Sequence, residues 1–343
     1  MKRVGIVTFV VAMCALLVAG IAAPMVQLRK QKQNNKTMAA SAMTTEGLKP
    51  KRLNQAIELL AEGQPIYYTG SHSGTAGTYE QGLKDSQTYA DYISYDMEHA
   101  PFDVKGLQDY MRGLAAGGPD RSGHHIPAVV VNVPVNGLDY AAVHANAWMF
   151  NQVLATGVMG VMLTHADNPG AIRAFVEAVR FPFQQKGVGV NGLPEGRRGV
   201  HGVPTAAKIW GVSQLEYEQK ADPWPLNPNG ELLLGVKEED KYALADVDEN
   251  LKIPGIGMAE WGPGDMALSL GVLAQGQAAI KDPNMVAARA KVLAACKANH
   301  VFFLNSFAPD DVVSMIKEGV MVGPASPETA EIGRKYTKRP APY

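Results

Sequence analysis

Short apolar runs alternate with helix-length segments along most of this chain, and that alternation constrains its fold more than any other feature. The runs predict strands at Ile66–Thr69, Tyr92–Asp96, Ala128–Val133, Val158–Leu163, Leu232–Val236, Ile256–Trp261, Val301–Leu304 and Val320–Val322. Helical patterns lie between most of them, as is typical of a parallel sheet, so we predict one single-domain (β/α)₈ barrel of the TIM type. A doubly wound open sheet is the alternative, but no Gly-x-Gly-x-x-Gly follows the first predicted strand.

The first 23 residues differ from the rest of the chain. Lys2 and Arg3 precede an uncharged apolar stretch at 4–23, with small residues at Gly20 and Ala22, which predicts an export signal cleaved near Ala22. An uncleaved anchor is the alternative, because about 20 apolar residues can span a bilayer. We therefore expect an exported protein, periplasmic or secreted, or one anchored through residues 4–23. Residues 24–50 are a predicted linker, 51–335 the barrel and 336–343 a tail.

Charge and cysteine content exclude some classes of protein. The net charge is −1, from 32 basic and 33 acidic residues, so nothing indicates a nucleic-acid partner. Cys14 lies in the export segment and leaves Cys296 alone, so no internal disulfide is expected. Cys296 follows an Ala-rich helical pattern and is interpreted as buried filler rather than a nucleophile.

One connection breaks the alternation. Residues 181–229 show no clear periodicity and are rich in Gly, Pro and Trp, as expected for a functional lid or an interface arm. The segment contains two adjacent cations, Arg197 and Arg198. Its aromatic residues suggest that the substrate has an apolar or aromatic part; they are Trp210, Tyr217 and Trp224.

Acidic residues follow two consecutive predicted strands. Glu239 comes just after Leu232–Val236, and Asp265 comes just after Ile256–Trp261. Because chemistry gathers at the carboxyl ends of barrel strands, two carboxylates there would provide half of a divalent-metal site. The intervening Gly262-Pro263-Gly264 would let backbone amides approach a bound anion. The alternatives are a solvated first-turn acid for Glu239 and a helix cap for Asp265.

Three further positions carry candidate chemistry. Asp96 ends the second predicted strand and His99 lies just past it. A carboxylate beside an imidazole makes a general base, unless His99 only caps the next helix. His165 and Asp167 follow the fourth strand and either reach the site or only start a helix. Strand alternation puts Lys237 on the same face as Glu239, where it is a candidate cation or a salt-bridge partner.

Four motifs together resemble the HpcH/HpaI aldolase and citrate lyase family of metal-dependent, pyruvate-type aldolases. They are D-M-E-H-A-P at 96–101, R-F-P-F at 180–183, G-R-R-G at 196–199 and P-G-I-G-M-A-E-W-G-P-G-D-M-A-L-S-L-G at 254–271. They occur in the family's order, and the resemblance covers about Leu53 to Gly333. It implies a (β/α)₈ barrel in a homo-oligomer, usually a hexamer built from dimers that exchange a C-terminal helix.

The resemblance also implies roles for single residues. His99 would be the catalytic base with Asp96 as its partner. Glu239, selected over Glu238 by its spacing, and Asp265 would hold a divalent ion, Mg²⁺, Mn²⁺ or Co²⁺. The backbone at Gly262, Pro263 and Gly264 would hold the substrate carboxylate.

One position departs from the family pattern. The family has an Arg before Pro at the end of the third strand, and here the pair is Val133-Pro134. The cation that balances an enolate must then come from elsewhere, and Lys237, Arg197 and Arg198 are the candidates.

These observations predict a metal-dependent carbon–carbon lyase that catalyses retro-aldol cleavage or aldol addition on a 2-oxo or hydroxy acid. Two alternatives remain open at this point. One is an exported binding barrel that has lost turnover, which would have no need of the base His99. The other is a Schiff-base lyase that uses Lys237 as its nucleophile.

Overall fold

The computed structural model describes residues 50–70, 74–274 and 276–340, and in that part of the chain eight parallel strands close into a barrel. The ring strands are β1 (Ile66–Thr69), β2 (Tyr92–Asp96), β3 (Ala128–Asn136), β4 (Gly160–Thr164), β6 (Leu232–Lys237), β7 (Met258–Glu260), β8 (Phe302–Leu304) and β9 (Val320–Pro324). Each pairs with the next, and pairing of β9 with β1 and of β4 with β6 completes the ring. The two-residue β5 (Pro223–Trp224) pairs with the start of β6 outside it. The predicted (β/α)₈ barrel is confirmed.

Helices surround the ring and follow most of its strands. They are α1 (Gln55–Ala61), α2 (Tyr79–Asp85), α3 (Val104–Ala116), α4 (Tyr140–Ala145), α5 (Ala147–Ala155), α6 (Pro169–Val179), α7 (Val203–Trp210), α8 (Gln214–Lys220), α9 (Lys241–Asn250), α10 (Pro263–Ser269), α11 (Gln277–Ile280), α12 (Pro283–Asn299), α13 (Val312–Glu318) and α14 (Pro327–Tyr336). None of them is both long enough and apolar enough to cross a bilayer. The predicted export segment and most of the linker, residues 1–49, lie outside the described residues.

Local sequence explains where many of these helices begin. Asn168 accepts a hydrogen bond from the backbone N–H of Ala171, and Pro169 occupies the first helical position of α6. Asp240 accepts hydrogen bonds from Tyr242 and Ala243 and so caps α9. Both caps satisfy backbone N–H groups that have no partner within the helix. Because the capping residues lie shortly after β4 and β6, both helices begin immediately beyond the mouth of the barrel.

The inside of the barrel is packed by alternate strand residues. Gly235 faces inward, and a β-carbon added there would lie 2.0 Å from Sδ of Met162 and 2.9 Å from Cγ of Met258. Because alternate residues share a face of a strand, Lys237 also faces inward, one layer nearer the mouth. The close packing at Gly235 therefore forms the floor beneath the polar end of the barrel.

The connection at 181–229 is neither irregular throughout nor placed over the mouth. It contains α7, α8 and a 3₁₀ turn, and Trp210 donates from Nε1 to the carbonyl of Gly157, 2.8 Å away. Gly157 precedes β4, so this contact lies at the amino end of the barrel, opposite the mouth. The interpretation of this segment as a lid over the site is wrong, because its apolar face packs under the barrel instead.

The C-terminal helix packs on the barrel of its own chain. Arg334 of α14 donates to Asp91 at 2.9 Å, and Arg339 donates to the same carboxylate at 2.6 Å; all three side chains are buried. These buried ion pairs join α14 to the segment before β2. The exchange of a C-terminal helix between subunits, which the resemblance implies, stays a prediction. Arg339 belongs to the predicted tail, so the described part of that tail is joined to the barrel.

Candidate active site

An acidic cluster lies at the mouth of the barrel, where four connections meet. Glu98 follows β2, His165 follows β4, Glu239 follows β6 and Asp265 lies in the first turn of α10 after β7. Each residue offers one ligand atom, and these atoms all lie within 4.8 Å of one another. Three carboxylates and an imidazole at this spacing suit a divalent cation that prefers oxygen ligands.

Glu239 and its neighbour Glu238 point to opposite sides of the strand end. Glu239 accepts a hydrogen bond from the backbone N–H of His165 at 3.0 Å and is 1% exposed, so it is not a solvated first-turn acid. Glu238 turns away from the mouth and accepts from Asn250 at 3.0 Å. The backbone alternation therefore places Glu239 rather than Glu238 in the cluster.

Burial governs the ionisation of both acids. Burial and the Glu98 carboxylate raise the pKa of Glu239 to about 7, against the opposing effect of Lys237. Burial raises the pKa of Glu238 well above its usual value, which favours the protonated form of that side chain. A cation in the cluster would favour the ionised form of Glu239, whereas Glu238 faces no such site.

The loop that carries Asp265 passes very close to Glu239. Gly262 has φ of 48°, and a β-carbon at this position would lie 2.2 Å from Cβ of Glu239. Only glycine fits this left-handed, crowded position. The turn at Gly262, Pro263 and Gly264 thus passes directly over Glu239 and leads into α10. Its predicted role in holding a substrate carboxylate stays a prediction.

His99 and Asp96 form a hydrogen-bonded pair beside the cluster. Nδ1 of His99 lies 2.9 Å from Oδ2 of Asp96, whose other oxygen accepts from the backbone N–H groups of Glu98 and His99. Burial acts to raise the pKa of Asp96, but these hydrogen bonds outweigh it and lower the pKa. The Asp96 carboxylate can accept from Nδ1–H of His99, and in that tautomer Nε2 is the acceptor nitrogen of the ring.

Lys237 occupies the centre of the mouth. Its ammonium donates to Oε2 of Glu98 and lies 3.9 Å from Oε2 of Glu239. Burial acts to lower the pKa of Lys237, but the carboxylates of Glu260, Glu239 and Glu98 outweigh it and raise the pKa above its usual value. A Schiff-base lysine must present a neutral amine. The carboxylates around Lys237 favour its charged form and therefore argue against Lys237 as a nucleophile.

His165 belongs to the cluster through both its backbone and its ring. Its φ is 45°, an uncommon value for a residue with a side chain, and its Nδ1 lies 3.8 Å from both Glu239 and Asp240. The Asp240 carboxylate, helped by those of Glu239, Asp265 and Glu98, raises the pKa of His165 to about 9. Asp167 points elsewhere, toward Asp240, and is not part of the cluster.

The residue that faces the mouth from β3 is Asn132, not Val133. Val130 and Asn132 line the interior cavity, while Val133 is fully buried on the other face of the strand. The prediction that Val133 stands at the position of the family arginine is therefore corrected. Only the closed barrel shows which residue of a continuous apolar strand faces inward.

The two arginines predicted to bind substrate lie at the other end of the barrel. Arg197 pairs with Glu177 near the end of α6, at 2.9 Å, and its side chain is 70% exposed. Arg198 is buried, with its guanidinium 4.7 Å from the ring centre of Phe181 and bonded to the hydroxyl of Tyr217. The substrate-binding assignment of both is wrong, because α6 runs from the mouth toward the amino ends of the strands.

The aromatic residues of the same segment are part of the core. Trp210 and Tyr217 are buried against each other with ring centres 4.6 Å apart, and Trp224 stacks on Phe302. They do not reach the mouth, so they cannot contact an aromatic part of a substrate there. These aromatic residues therefore give no support for an aromatic part of the substrate.

Three polar residues at the mouth were not identified from the sequence. Glu98 lies between Asp96 and His99 in the D-M-E-H motif, and this position alone could have drawn notice to it. Glu260 and Asn132 line the interior cavity from β7 and β3. Both sit inside apolar runs, where no local signal separates an inward polar residue from an outward one.

Comparison with known proteins places the chain in a family. The model of the HpcH/HpaI aldolase/citrate lyase family matches residues 83–322. A hydroxypyruvate/pyruvate aldolase of Roseobacter denitrificans is 27% identical over 228 residues, which cover 66% of this chain and 73% of the relative. A 2-keto-3-deoxy-L-rhamnonate aldolase of Escherichia coli O1:K1 / APEC is 29% identical over 181 residues, 53% of this chain and about half (54%) of the relative's length.

A solved structure shares the fold. It is an HpcH/HpaI aldolase/citrate lyase family protein from Burkholderia cenocepacia J2315, with a TM-score of 0.58 and 24% identity over 80% of this chain and 93% of that one. The family match spans the strands that carry the acidic cluster and the His99–Asp96 pair. The chain therefore belongs to the HpcH/HpaI aldolase/citrate lyase family and is an enzyme of the aldolase/lyase class.

Proposed function

We propose that this enzyme uses a divalent metal ion to cleave or form a carbon–carbon bond next to a 2-oxo acid, by retro-aldol cleavage or aldol addition. The observation that carries the proposal is that the acidic cluster and the hydrogen-bonded His99–Asp96 pair open onto the same mouth. The relatives named as pyruvate, hydroxypyruvate and 2-keto-3-deoxy-L-rhamnonate aldolases support a 2-oxo acid as the shared part of the substrate.

The residues present fit such a metal. We assign Glu239 and Asp265 as ligands, because both carboxylates belong to the cluster. Glu98 accepts the hydrogen bond from Lys237, whereas Glu239 lies 3.9 Å from that ammonium. Oxygen donors of this kind suit Mg²⁺, Mn²⁺ or Co²⁺. When bound, the ion would supply Lewis-acid polarisation of the 2-oxo acid.

His99 is positioned to act as the general base. With Nδ1–H held by Asp96, Nε2 can take the proton from the hydroxyl of the substrate carbon that becomes a carbonyl. As the new C=O forms, the carbon–carbon bond breaks and its electron pair passes into the 2-oxo acid part as an enolate, which a proton then quenches. In aldol addition the same groups act in reverse, and His99 returns its proton to the new hydroxyl oxygen.

Lys237 supplies a fixed positive charge for the enolate. It lies on β6, on the face that Glu239 shares, with its ammonium among the carboxylates of the mouth. A preorganised cation aimed at developing negative charge contributes several kcal/mol to catalysis. We propose that Lys237 takes over the role that the family gives to an arginine on β3, where this chain has Asn132.

Location and assembly are further parts of the proposal. We propose that residues 1–23 direct export to the periplasm or beyond, and that the protein forms a homo-oligomer. The first rests on the export pattern described above, and the second on family membership.

The test is metal titration of single variants, monitored by calorimetry. Glu239→Gln and Asp265→Asn should each abolish binding of Mn²⁺ while leaving the circular dichroism spectrum unchanged, because a hard cation needs anionic oxygen. Glu238→Gln is the matched control and should bind as the native protein does, since Glu238 faces Asn250. Titration curves like the native one for both Glu239→Gln and Asp265→Asn would refute the metal site.

The same experiment includes turnover, measured as release of pyruvate from a 4-hydroxy-2-oxo acid with and without a chelator. His99→Ala should lower kcat by about 10²- to 10⁴-fold, the usual contribution of a general base, while Mn²⁺ affinity stays near the native value. Loss of the metal in His99→Ala would instead identify His99 as a ligand.

A further inference from the structure

The turn that follows β4 holds one oxygen of the proposed metal ligand Glu239. The backbone N–H of His165 donates to Oε1 of Glu239 at 3.0 Å, and the Glu239 side chain is buried. A hydrogen bond from a fixed backbone group limits how a carboxylate can rotate, so it sets the direction in which the other oxygen points. The position of this turn therefore bears directly on the geometry of the metal site.

The backbone of the turn is strained at His165. Its φ of 45° lies in the left-handed region, which a residue with a β-carbon adopts only at a cost in free energy. Such a conformation persists where surrounding contacts hold it, because the chain would otherwise relax toward a commoner one. Relaxation at His165 would reorient its N–H relative to Glu239, so the contacts that hold the turn also hold the ligand.

Two hydrogen bonds hold the next residue of the turn, Ala166. Its N–H donates to the carbonyl of Lys237 on β6 at 3.0 Å, and its carbonyl accepts from Nδ2 of Asn250 at 2.9 Å. The same nitrogen donates to Oε2 of Glu238 at 3.0 Å. Because a backbone carbonyl can only accept, the nitrogen of the amide rather than its oxygen must face Ala166. Asn250 therefore joins the turn after β4 to the end of β6, where Glu239 lies.

Asn250 reaches these partners from the helix layer around the barrel. It is the last residue of α9 and is fully buried, so its N–H groups need partners within the protein. Both partners lie beside the metal site, since Ala166 follows His165 in the chain and Glu238 precedes Glu239. Asn250 is not itself part of the acidic cluster, so any effect on the metal must pass through these neighbours.

We propose that Asn250 is a positioning residue for the metal site. Its amide fixes the strained turn after β4 and, through the backbone N–H of His165, the orientation of the Glu239 carboxylate. The inference rests on the proposed function, because it needs Glu239 to be a metal ligand. Residues that hold a ligand without touching the metal typically contribute about 10- to 100-fold to metal affinity.

The experiment measures the dissociation constant of Mn²⁺ by calorimetry on Asn250→Leu. Leucine has nearly the shape of asparagine but no side-chain N–H, so it removes both hydrogen bonds without leaving a large cavity. The dissociation constant should rise at least about tenfold. The electron paramagnetic resonance spectrum of bound Mn²⁺ should also change, because the Glu239 carboxylate is then held differently. Asn250→Ala removes the same donors and should change both readouts in the same direction.

Val247→Ala is the matched control for stability. Val247 is fully buried on the same helix, and its truncation should lower the melting temperature because it leaves a cavity. Its side chain forms no hydrogen bond to the turn, so the Mn²⁺ dissociation constant and the spectrum should stay at native values. A merely structural role of Asn250 would predict the same result for the two Asn250 variants.

The outcomes distinguish this inference from the proposed function. Native Mn²⁺ binding by both Asn250 variants, or an equal loss of affinity in Val247→Ala, would overturn the inference and leave the metal site intact. Failure of both Asn250 variants to fold, while Val247→Ala folds, would also overturn it, because Asn250 would then serve the fold rather than the site. Failure of the native protein to bind Mn²⁺ would overturn the proposed function together with this inference.

Discussion

At the residue level, the proposed mechanism needs a cation at the mouth that lies on β6 rather than on β3. The inward position on β3 is Asn132, which is neutral, and the buried ammonium of Lys237 on β6 lies among Glu98, Glu239 and Glu260. An ammonium is a point charge and cannot make the bidentate contact of a guanidinium with a carboxylate. In the proposed mechanism Lys237 would therefore stabilise an enolate by its charge, with less control over substrate orientation.

This relocation can be tested at the residue level. Lys237→Met should lower kcat of the native reaction by at least about 10²-fold, because several kcal/mol of charge stabilisation are lost in the transition state. Adding Asn132→Arg to that variant should restore part of kcat, since it returns a cation to the mouth from β3. Native kcat in Lys237→Met would show that the enolate does not depend on this ammonium.

At the level of elements, the connection between β4 and β6 contains a buried ion pair and close backbone contacts, so we expect it to contribute to stability rather than to binding. Arg180 at the end of α6 pairs with Asp222 before β5 at 2.7 Å, with both side chains almost completely buried. Gly196 packs directly against the carbonyl of Arg180, where a β-carbon would lie 2.3 Å from the oxygen. The segment is thus fastened to the amino end of the barrel at several points.

Variants of this segment should affect unfolding and not kinetics. Arg180→Met should lower the free energy of unfolding by about 3–5 kcal/mol, because it leaves the buried Asp222 carboxylate without its ion-pair partner. In the folded enzyme KM and kcat should stay at native values, and the same holds for Arg197→Met and Arg198→Met. Denaturant unfolding and steady-state kinetics measure the two effects separately. A raised KM in Arg198→Met would show that this segment does contribute to substrate binding.

At the level of the whole molecule, the described chain forms one barrel with a single cysteine. Cys296 on α12 is fully buried, and burial raises the pKa of its thiol above the usual value. A buried, protonated thiol does not react with disulfide reagents in the folded state. The other cysteine, Cys14, lies in the predicted export segment. The number of thiols per chain therefore shows whether that segment has been removed.

We expect the protein isolated from an exporting host to lack Cys14 after cleavage near Ala22. Thiol titration should then find no reactive group in the native state and one in denaturant, and intact mass should match a chain that begins after the cleavage site. Two thiols in denaturant would show that residues 1–23 are retained as an anchor.

Much of the fold could be predicted from the sequence, because periodicity and turn residues are local properties. The apolar runs coincide with the ring strands, although β3 extends to Asn136 and β7 is shorter than its run. Glu239, Asp265, Asp96 and His99 could be located because each lies at or shortly after the carboxyl end of a strand, which faces the mouth. Glycine and proline at 262–264 marked the turn that leads into α10.

Only the tertiary structure decided which side chains meet. Strand alternation has a period of two, so a continuous apolar run does not reveal which of two neighbours faces inward, and closure of the barrel selected Asn132 over Val133. The same closure brought Glu98, from the connection after β2, and Glu260 of β7 to Lys237 of β6. It also placed Arg197 and Arg198 at the opposite end, because the direction of a connecting helix decides which end of a barrel a loop covers. The sequence determined the strands and the residues at their ends; the register and closure of the ring determined the site.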